Sequence, residues 1–290
     1  MNFPNRFGWI MDYPDIHDFH PEHPEISSFF EKSNLVGDAI AVPSVTAYSI
    51  PEVDFSPVEN QENIGSCTVN AGVGLLEYYQ KKSKGKYLDM SRLFLYKVTR
   101  NLLKWTGDTG AYLRTTMGAM VLFGVPPEEY MPYVPDRYED EPSAFLYSFA
   151  REFETIRYYR LDPSGISRDA LLKRIKLFID NKLPSMFGFS VYNSISQAGN
   201  NKGEIPFPSK NDRRSGGHAV IAMGYDDDRV ITNSNDGSKT TGAIKIRNSW
   251  GTGWGNNGYG WLPYEYILSG LAVDWWSLIR SEWTDTGVFN

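Results

Sequence analysis

Apolar residues recur at Val69, Val73 and Leu76, with Leu75 and Tyr79 flanking, over residues 66–82. That spacing predicts a buried helix. Gly72 and Gly74 lower its intrinsic propensity and fit a helix packed tightly by its neighbours, and Gly85 closes it. A second helix is predicted over 91–105, with Leu93, Tyr96, Val98, Leu102 and Leu103 apolar. A third is predicted over 112–123, stopping at Gly124 ahead of Pro126-Pro127. A Pro/Tyr-rich loop follows over 126–142, then a short helix over 144–152 and an alternating strand over 155–161. Residues 167–181 form an amphipathic pattern through Leu171, Leu172, Ile175, Phe178 and Ile179.

Beyond that helix the period changes to two. Strands are predicted at 186–191, 219–225, 229–232, 243–248 and 259–262, joined by Gly/Asp/Asn turns. Helices first and strands later give an α+β protein with two lobes and a cleft between them. The expected divisions are 1–50, an N-terminal extension lying over the core; 51–165, mainly helical; and 166–290, mainly β.

Composition narrows the function classes. The 290 residues suffice for one large domain or two small ones, and 41% hydrophobic with 22% charged residues is ordinary for a globular chain. A net charge of −6, with no Lys/Arg run, argues against a nucleic-acid surface. No stretch reaches the length of a membrane span, and the first residues lack the pattern of a signal peptide. One cysteine precludes an internal disulfide, so a cytoplasmic setting is expected. His17, His20 and His23 share a spacing of three, but Pro21 and Pro24 break the helix that would align them. No metal site is expected there.

That cysteine, Cys67, stands at the predicted start of the first helix. Unpaired N–H groups and the positive dipole end at this place favour a thiolate, the nucleophilic form. A lone cysteine is more often a small buried hydrophobe, so its context decides. His218, after Gly216-Gly217 at the mouth of a strand, is the only histidine outside the N-terminal stretch. It is the candidate base. Asn248 could accept the imidazole N–H, with Trp250 covering that bond. Gln61, six residues before Cys67, could join the Cys67 N–H as an oxyanion donor.

Gln61-x-x-x-Gly65-Ser66-Cys67, Gly217-His218-Ala219-Val220 and Asn248-Ser249-Trp250-Gly251-x-x-Trp254-Gly255-x-x-Gly258-Tyr259 together resemble the papain family of cysteine peptidases, over roughly residues 55–279. The resemblance implies a helical lobe and an antiparallel β-barrel-like lobe with the site in the cleft. It implies Cys67 as nucleophile, His218 as base then acid, Asn248 as its orienter and Gln61 as oxyanion donor. Gly65, Asp108 and Gly110, with Thr109, would meet the substrate backbone, and Gly217 would present a carbonyl to it. Trp250 would shield the His–Asn bond and Trp254 lie on the leaving-group side. The partner implied is a peptide or protein substrate, and no cofactor is needed.

Thr68 stands where the family signature has an aromatic, and Ile64 where it has a cysteine. Residues 226–242 read as an enlarged β-hairpin between His218 and Asn248. Tyr192 and the segment around Tyr264 are candidate aromatic walls of a specificity pocket. Two other readings share the motifs: a thioester-forming acyl transferase that uses an amine in place of water, and a self-blocked, non-catalytic peptide-binding relative. The N-terminal segment is expected to drape over the core and limit access to the cleft.

Overall fold

A computed structural model describes residues 7–30, 35, 45–153, 157–199 and 202–279. Among these, the elements run α1 (Pro24–Phe30), β1 (Ala47–Ser49), α2 (Cys67–Lys84), α3 (Arg92–Leu103), α4 (Leu113–Phe123), α5 (Ala144–Ala150), β2 (Arg157–Arg160), α6 (Arg168–Asp180), β3 (Ser185–Tyr192), β4 (Arg214–Thr232), β5 (Lys239–Arg247), β6 (Tyr259–Pro263), α7 (Tyr264–Leu268) and β7 (Ala272–Ile279).

The helices begin and end where the local chemistry dictates. Ser91, Ser143 and Ser167 each accept a backbone N–H with the side chain at a helix start. Gly85 ends α2 in the left-handed region, at φ 68°. Every residue of α2 from Cys67 to Tyr79 is buried, because α3 and α4 cover one side and β4 the other. This explains its two glycines. A Cβ on Gly72 would press on Met120 and Thr116, and one on Gly74 would collide with the Arg247 guanidinium.

The strands form one antiparallel sheet in the order β2-β7-β3-β4-β5-β6, with β1 added to β4. The antiparallel β lobe expected from the sequence is present, but it is not closed into a barrel: among the described residues the two ends of that order, β2 and β6, do not pair. The strands expected at 219–225 and 229–232 are one strand, β4, bent at a bulge between Asp226 and Val230. The hairpin expected over 226–242 is formed by β4 and β5, with Val230 opposite Thr241. Strand β7 was not anticipated. Its residues from Asp274 to Ile279 are all buried, so the alternation that betrays a half-exposed strand is missing. Trp275 of this strand stacks on Phe187 of β3 at 3.9 Å between ring centres.

The N-terminal residues that are described are not merely extended. Pro24 opens the short helix α1, a position where a missing N–H costs nothing. Phe30 at its end meets Tyr159 and Phe178 edge-on, both at 5.5 Å. The acidic residues of this stretch pair with arginines of the core: Asp12 and Asp18 with Arg114, Glu22 with Arg174, and Glu25 with Arg157. His17 and His20 each face their own carboxylate, Asp15 and Glu22. Among the described residues no group of histidine, cysteine and carboxylates could hold a metal, and no helix is long and apolar enough to cross a membrane.

Candidate active site

Helix α2 places Cys67 at its first residue, fully buried. The loop before it is held by an array of hydrogen bonds. The Gln61 N–H donates to the Ser249 carbonyl at 2.8 Å, and the Gly251 N–H to the Glu59 carbonyl at 3.0 Å, so this loop is laced to the one after β5. Asn70 donates to both the carbonyl and the hydroxyl of Ser66, the Ser66 hydroxyl meets that of Tyr133 at 2.7 Å, and Tyr133 donates to the Gln61 carbonyl at 2.9 Å. Arg247 donates to the Pro57 carbonyl at 2.5 Å.

His218 lies on β4 opposite Phe189 of β3, and Asn248 follows directly on β5. His218 Nε2 is 2.7 Å from Asn248 Oδ1. The same oxygen accepts the Ser249 backbone N–H at 2.8 Å, which fixes the amide orientation, since a backbone N–H can only donate. Nε2 therefore carries the proton, and Nδ1 holds a lone pair. Nδ1 is buried without a hydrogen-bond partner among the described residues. The Trp250 ring stacks on the imidazole at 4.5 Å and 27°, over the His–Asn bond. The Ala219 backbone N–H lies against the Cys67 sulfur, so the residue beside His218 touches the thiol.

The Gln61 side chain donates through Nε2 to the Ile64 carbonyl at 3.0 Å and accepts from the Ser249 hydroxyl at 2.7 Å. One N–H of that amide is thus committed, and the orientation is fixed by a carbonyl on one side and a hydroxyl on the other. Tyr133, Asn70 and Ser249 were not read from the sequence as positioning residues; Asn70, in the first helical turn after Cys67, and Ser249, beside Asn248, lay close enough in the chain to be suspected, whereas Tyr133 did not.

The cleft is filled by the N-terminal segment. The Gly8 N–H lies against the Cys67 sulfur. Its carbonyl accepts the Ala111 N–H at 2.8 Å, the Trp9 N–H donates to the Gly217 carbonyl at 3.0 Å, and the Ile10 N–H to the Ala111 carbonyl at 3.2 Å. Phe7 sits 6.3 Å from both the His218 and Trp250 rings. The fit is close enough that a Cβ on Gly8 would collide with the Gly65 carbonyl. The bridge of Trp9 with Ala111 is parallel.

This geometry sorts the residues expected to bind substrate. Gly65 and Gly217 face the segment directly. Gly110 packs on Gly8, but its N–H goes to the Tyr96 hydroxyl at 3.1 Å, so the pairing backbone is that of Ala111. The Asp108 carboxylate accepts from the Gly65 N–H at 2.8 Å and the Tyr96 hydroxyl at 2.5 Å; it holds the two loops together. Trp254 is buried behind Trp250, edge to face at 5.4 Å. Of the two tyrosines suggested as pocket walls, Tyr264 packs on Gly242 and bonds Asp227 in the hairpin, and Tyr192 ends β3 opposite Arg214.

Burial governs the electrostatics of the covered site. It pushes the Cys67 thiol up to about 11, against the N–H groups of Ala219, Gly8 and Thr68 that favour the thiolate. It lowers His218 to about 4, against the Asn248 bond. In the covered form the pair is therefore a thiol and a neutral imidazole.

Residues 43–270 match the model of the papain family cysteine proteases, and the chain belongs to that family. It is 32% identical over 236 residues to a peptidase C1-like protein of Acanthamoeba polyphaga mimivirus, covering 80% of this chain and 71% of that one. It is 31% identical over 213 residues to cathepsin K of Gallus gallus, covering 70% of this chain and 54% of that one, little more than half the relative's length. Among solved structures it resembles xylellain, a cysteine protease from Xylella fastidiosa, with a TM-score of 0.73 and 32% identity over 94% of this chain and 96% of that one.

Proposed function

We propose that this chain is a cysteine peptidase of peptide or protein substrates, held with its cleft filled by residues 7–12 of its own N-terminal segment. The carrying observation is the His218–Asn248 pair: the proton is fixed on Nε2, the lone pair on Nδ1 is unspent, and the adjoining Ala219 N–H lies on the Cys67 sulfur.

The segment resists cleavage because of its polarity. Phe7 lies at His218 and Trp250, where a leaving amine would take its proton, and the chain then runs past Cys67 toward Ala111. A substrate has its acyl part first and its leaving amine after, so it would run the other way. Once the segment withdraws, Nδ1 takes the thiol proton and the sulfur attacks the substrate carbonyl. The Cys67 N–H and the second Gln61 amide N–H donate to the oxyanion. Collapse breaks the C–N bond, the imidazolium gives its proton to the amine, and a thioester remains. Water, deprotonated by the same imidazole, hydrolyses it and restores the thiol.

The test is the pH dependence of Cys67 alkylation, read by intact mass, alongside hydrolysis of a mixed peptide library, with His218→Ala as control. Peptide hydrolysis by Trp9→Ala, in which the segment is loosened, with an alkylation midpoint below the free thiol value of about 8.5, lost on adding His218→Ala, supports the reading. An unreactive thiol and no hydrolysis after the segment is loosened refute it. Release of amide products in place of acids, when amines are added, would favour the transferase.

A further inference from the structure

Trp9 occupies a pocket of unusual construction. Two of its walls are glycines, Gly188 on β3 and Gly217 on β4, and a Cβ on either would collide with Trp9. At its base lies Asp274, fully buried. The indole N–H of Trp9 donates to Asp274 Oδ2 at 3.0 Å. The other oxygen, Oδ1, is taken by the Trp276 indole at 2.6 Å and the Arg160 guanidinium at 3.3 Å. Asp274 is also held at φ 65°, a left-handed backbone that a side chain adopts only where its surroundings impose it.

The partner of Oδ2 therefore comes from a segment that must leave for the cleft to work. Withdrawal leaves a buried carboxylate oxygen facing an emptied, ring-shaped slot. A substrate side chain entering that slot must supply a donor at its far edge, or leave the oxygen unpaired at a cost. Arg160 lies 3.3 Å from Asp274 but shares its charge with Asp162 at 2.9 Å and Asp18 at 3.7 Å, so charge alone does not choose the ligand; the flat slot between Gly188 and Gly217 does, because it fits a ring and not a flexible guanidinium or ammonium chain. A neutral donor on a flat ring suits the site. Gly8 stands over the sulfur, which places its neighbour Trp9 one residue away from the reacting position.

Resting on the peptidase reading above, we infer that this pocket selects substrates with tryptophan as the second residue before the scissile bond, and that Asp274 is the specificity-determining residue through its bond to the indole N–H.

Two measurements on the full chain test this. The first is binding without turnover. Peptides Ac-Ala-Xaa-Gly-NH2 are titrated by NMR into Trp9→Ala/Cys67→Ala, with Xaa as tryptophan, 1-methyltryptophan, 3-benzothienylalanine, leucine or arginine. Tryptophan should bind about tenfold tighter than leucine or arginine; 1-methyltryptophan, which replaces the donor with a methyl group pressed on Asp274, should lose at least that, and 3-benzothienylalanine, which removes the N–H without added bulk, should also lose about tenfold. Gly188→Val, which fills the slot, should abolish the preference. Equal binding of tryptophan and either donor-free analogue, or leucine or arginine binding as well as tryptophan, would overturn the inference.

The second is hydrolysis of the matching Ac-Ala-Xaa-Gly-aminomethylcoumarin peptides by Trp9→Ala with Cys67 intact. A tryptophan preference in binding without any hydrolysis counts against the peptidase reading and upholds the pocket. Hydrolysis without a tryptophan preference does the reverse.

Discussion

Trp9 is the deeply buried side chain of the segment that fills the cleft, so Trp9→Ala in the full chain is the most informative single change. Trp9 is only 4% exposed. A tryptophan buries about 150–250 Å², which at about 25 cal/mol per Å² is ~4–6 kcal/mol of transfer free energy. Truncation of such a residue to alanine costs about 3–5 kcal/mol. Part is recovered because water can enter the vacated pocket, and the pairs of Arg114 with Asp12 and Asp18 remain. About half of that ~4–6 kcal/mol transfer free energy, ~2–3 kcal/mol, then weakens docking relative to the uncovered state. At about 1.4 kcal/mol per tenfold, the uncovered population rises by roughly 30- to 150-fold. The assay is the alkylation rate of Cys67 at pH 7 by intact mass, with circular dichroism as the fold control. An increase of about 100-fold is expected. Trp9→Phe, which keeps most of the area but drops the bond to Asp274, should fall between. A rate within twofold of the parent, in a protein that remains folded, would refute the reasoning: the thiol would then be reached without moving the segment.

Further outcomes follow from the same geometry, the kinetic ones read in the Trp9→Ala background. Cys67→Ala should abolish peptide hydrolysis with an unchanged circular dichroism spectrum. His218→Ala should lower kcat by about 10³-fold and Asn248→Ala by clearly less, because Asn248 orients the ring and transfers no proton; equal losses would contradict these roles. Tyr133→Phe removes the hydroxyl that joins Ser66 to the Gln61 carbonyl and should lower kcat about tenfold with KM little changed; an unaltered kcat would show that the loop keeps its shape without it. Glu77 is buried and its carboxyl is raised to about 7 by desolvation, so the fold favours its protonated form. Its contribution is fully present below the unfolded value of about 4.5 and is lost as pH rises through 7. Glu77→Gln should therefore gain stability over the parent between pH 4.5 and 7, on the order of 3 kcal/mol, measured by urea unfolding; a pH-independent difference would refute it.

The helices and the chemical motifs were legible because their signals are local. A serine at a helix start or a glycine at its end carries its own geometry, as Ser91, Ser167 and Gly85 do. Cys67 and Asn248 sit in short, distinctive surroundings that place them at a helix start and just past a strand end, whereas His218, expected at a strand mouth, lies within β4, which already begins at Arg214. What was not legible depends on distant partners. Strand β7 hides because it lies between β2 and β3 with nearly every side chain buried. Gly188 is an ordinary strand glycine until the Trp9 ring, some 180 positions away, is seen against it. The acidic N-terminal stretch was expected to drape over the core, but which groups would hold it was not legible: its carboxylates meet Arg114, Arg157 and Arg174, three arginines from three separate elements. Tyr133 looked like part of a proline-rich loop, and only the fold brings its hydroxyl to the nucleophile's loop.

The same non-local packing reverses the charge state that the local sequence favours. A helix N-terminus stabilises an anion by about 0.3–2 kcal/mol, and α2 offers that to Cys67. Burial nonetheless moves the thiol from 9.0 to about 11 and the imidazole from 6.5 to about 4. Each unit is about 1.4 kcal/mol, so desolvation exceeds the helix end and the surrounding N–H groups together. Gly8 and Phe7 supply part of that burial, covering the sulfur and the ring. On the proposed peptidase reading, a peptide reaching Cys67 in the covered state would meet two neutral groups, and the segment would block the cleft both by occupying it and by discharging the pair beneath it. Withdrawal returns water to the thiol and the imidazole while leaving the helix end and the Asn248 bond in place. The terms that favour thiolate and imidazolium are built into the core, and the term that opposes them is carried in part by the residues that leave.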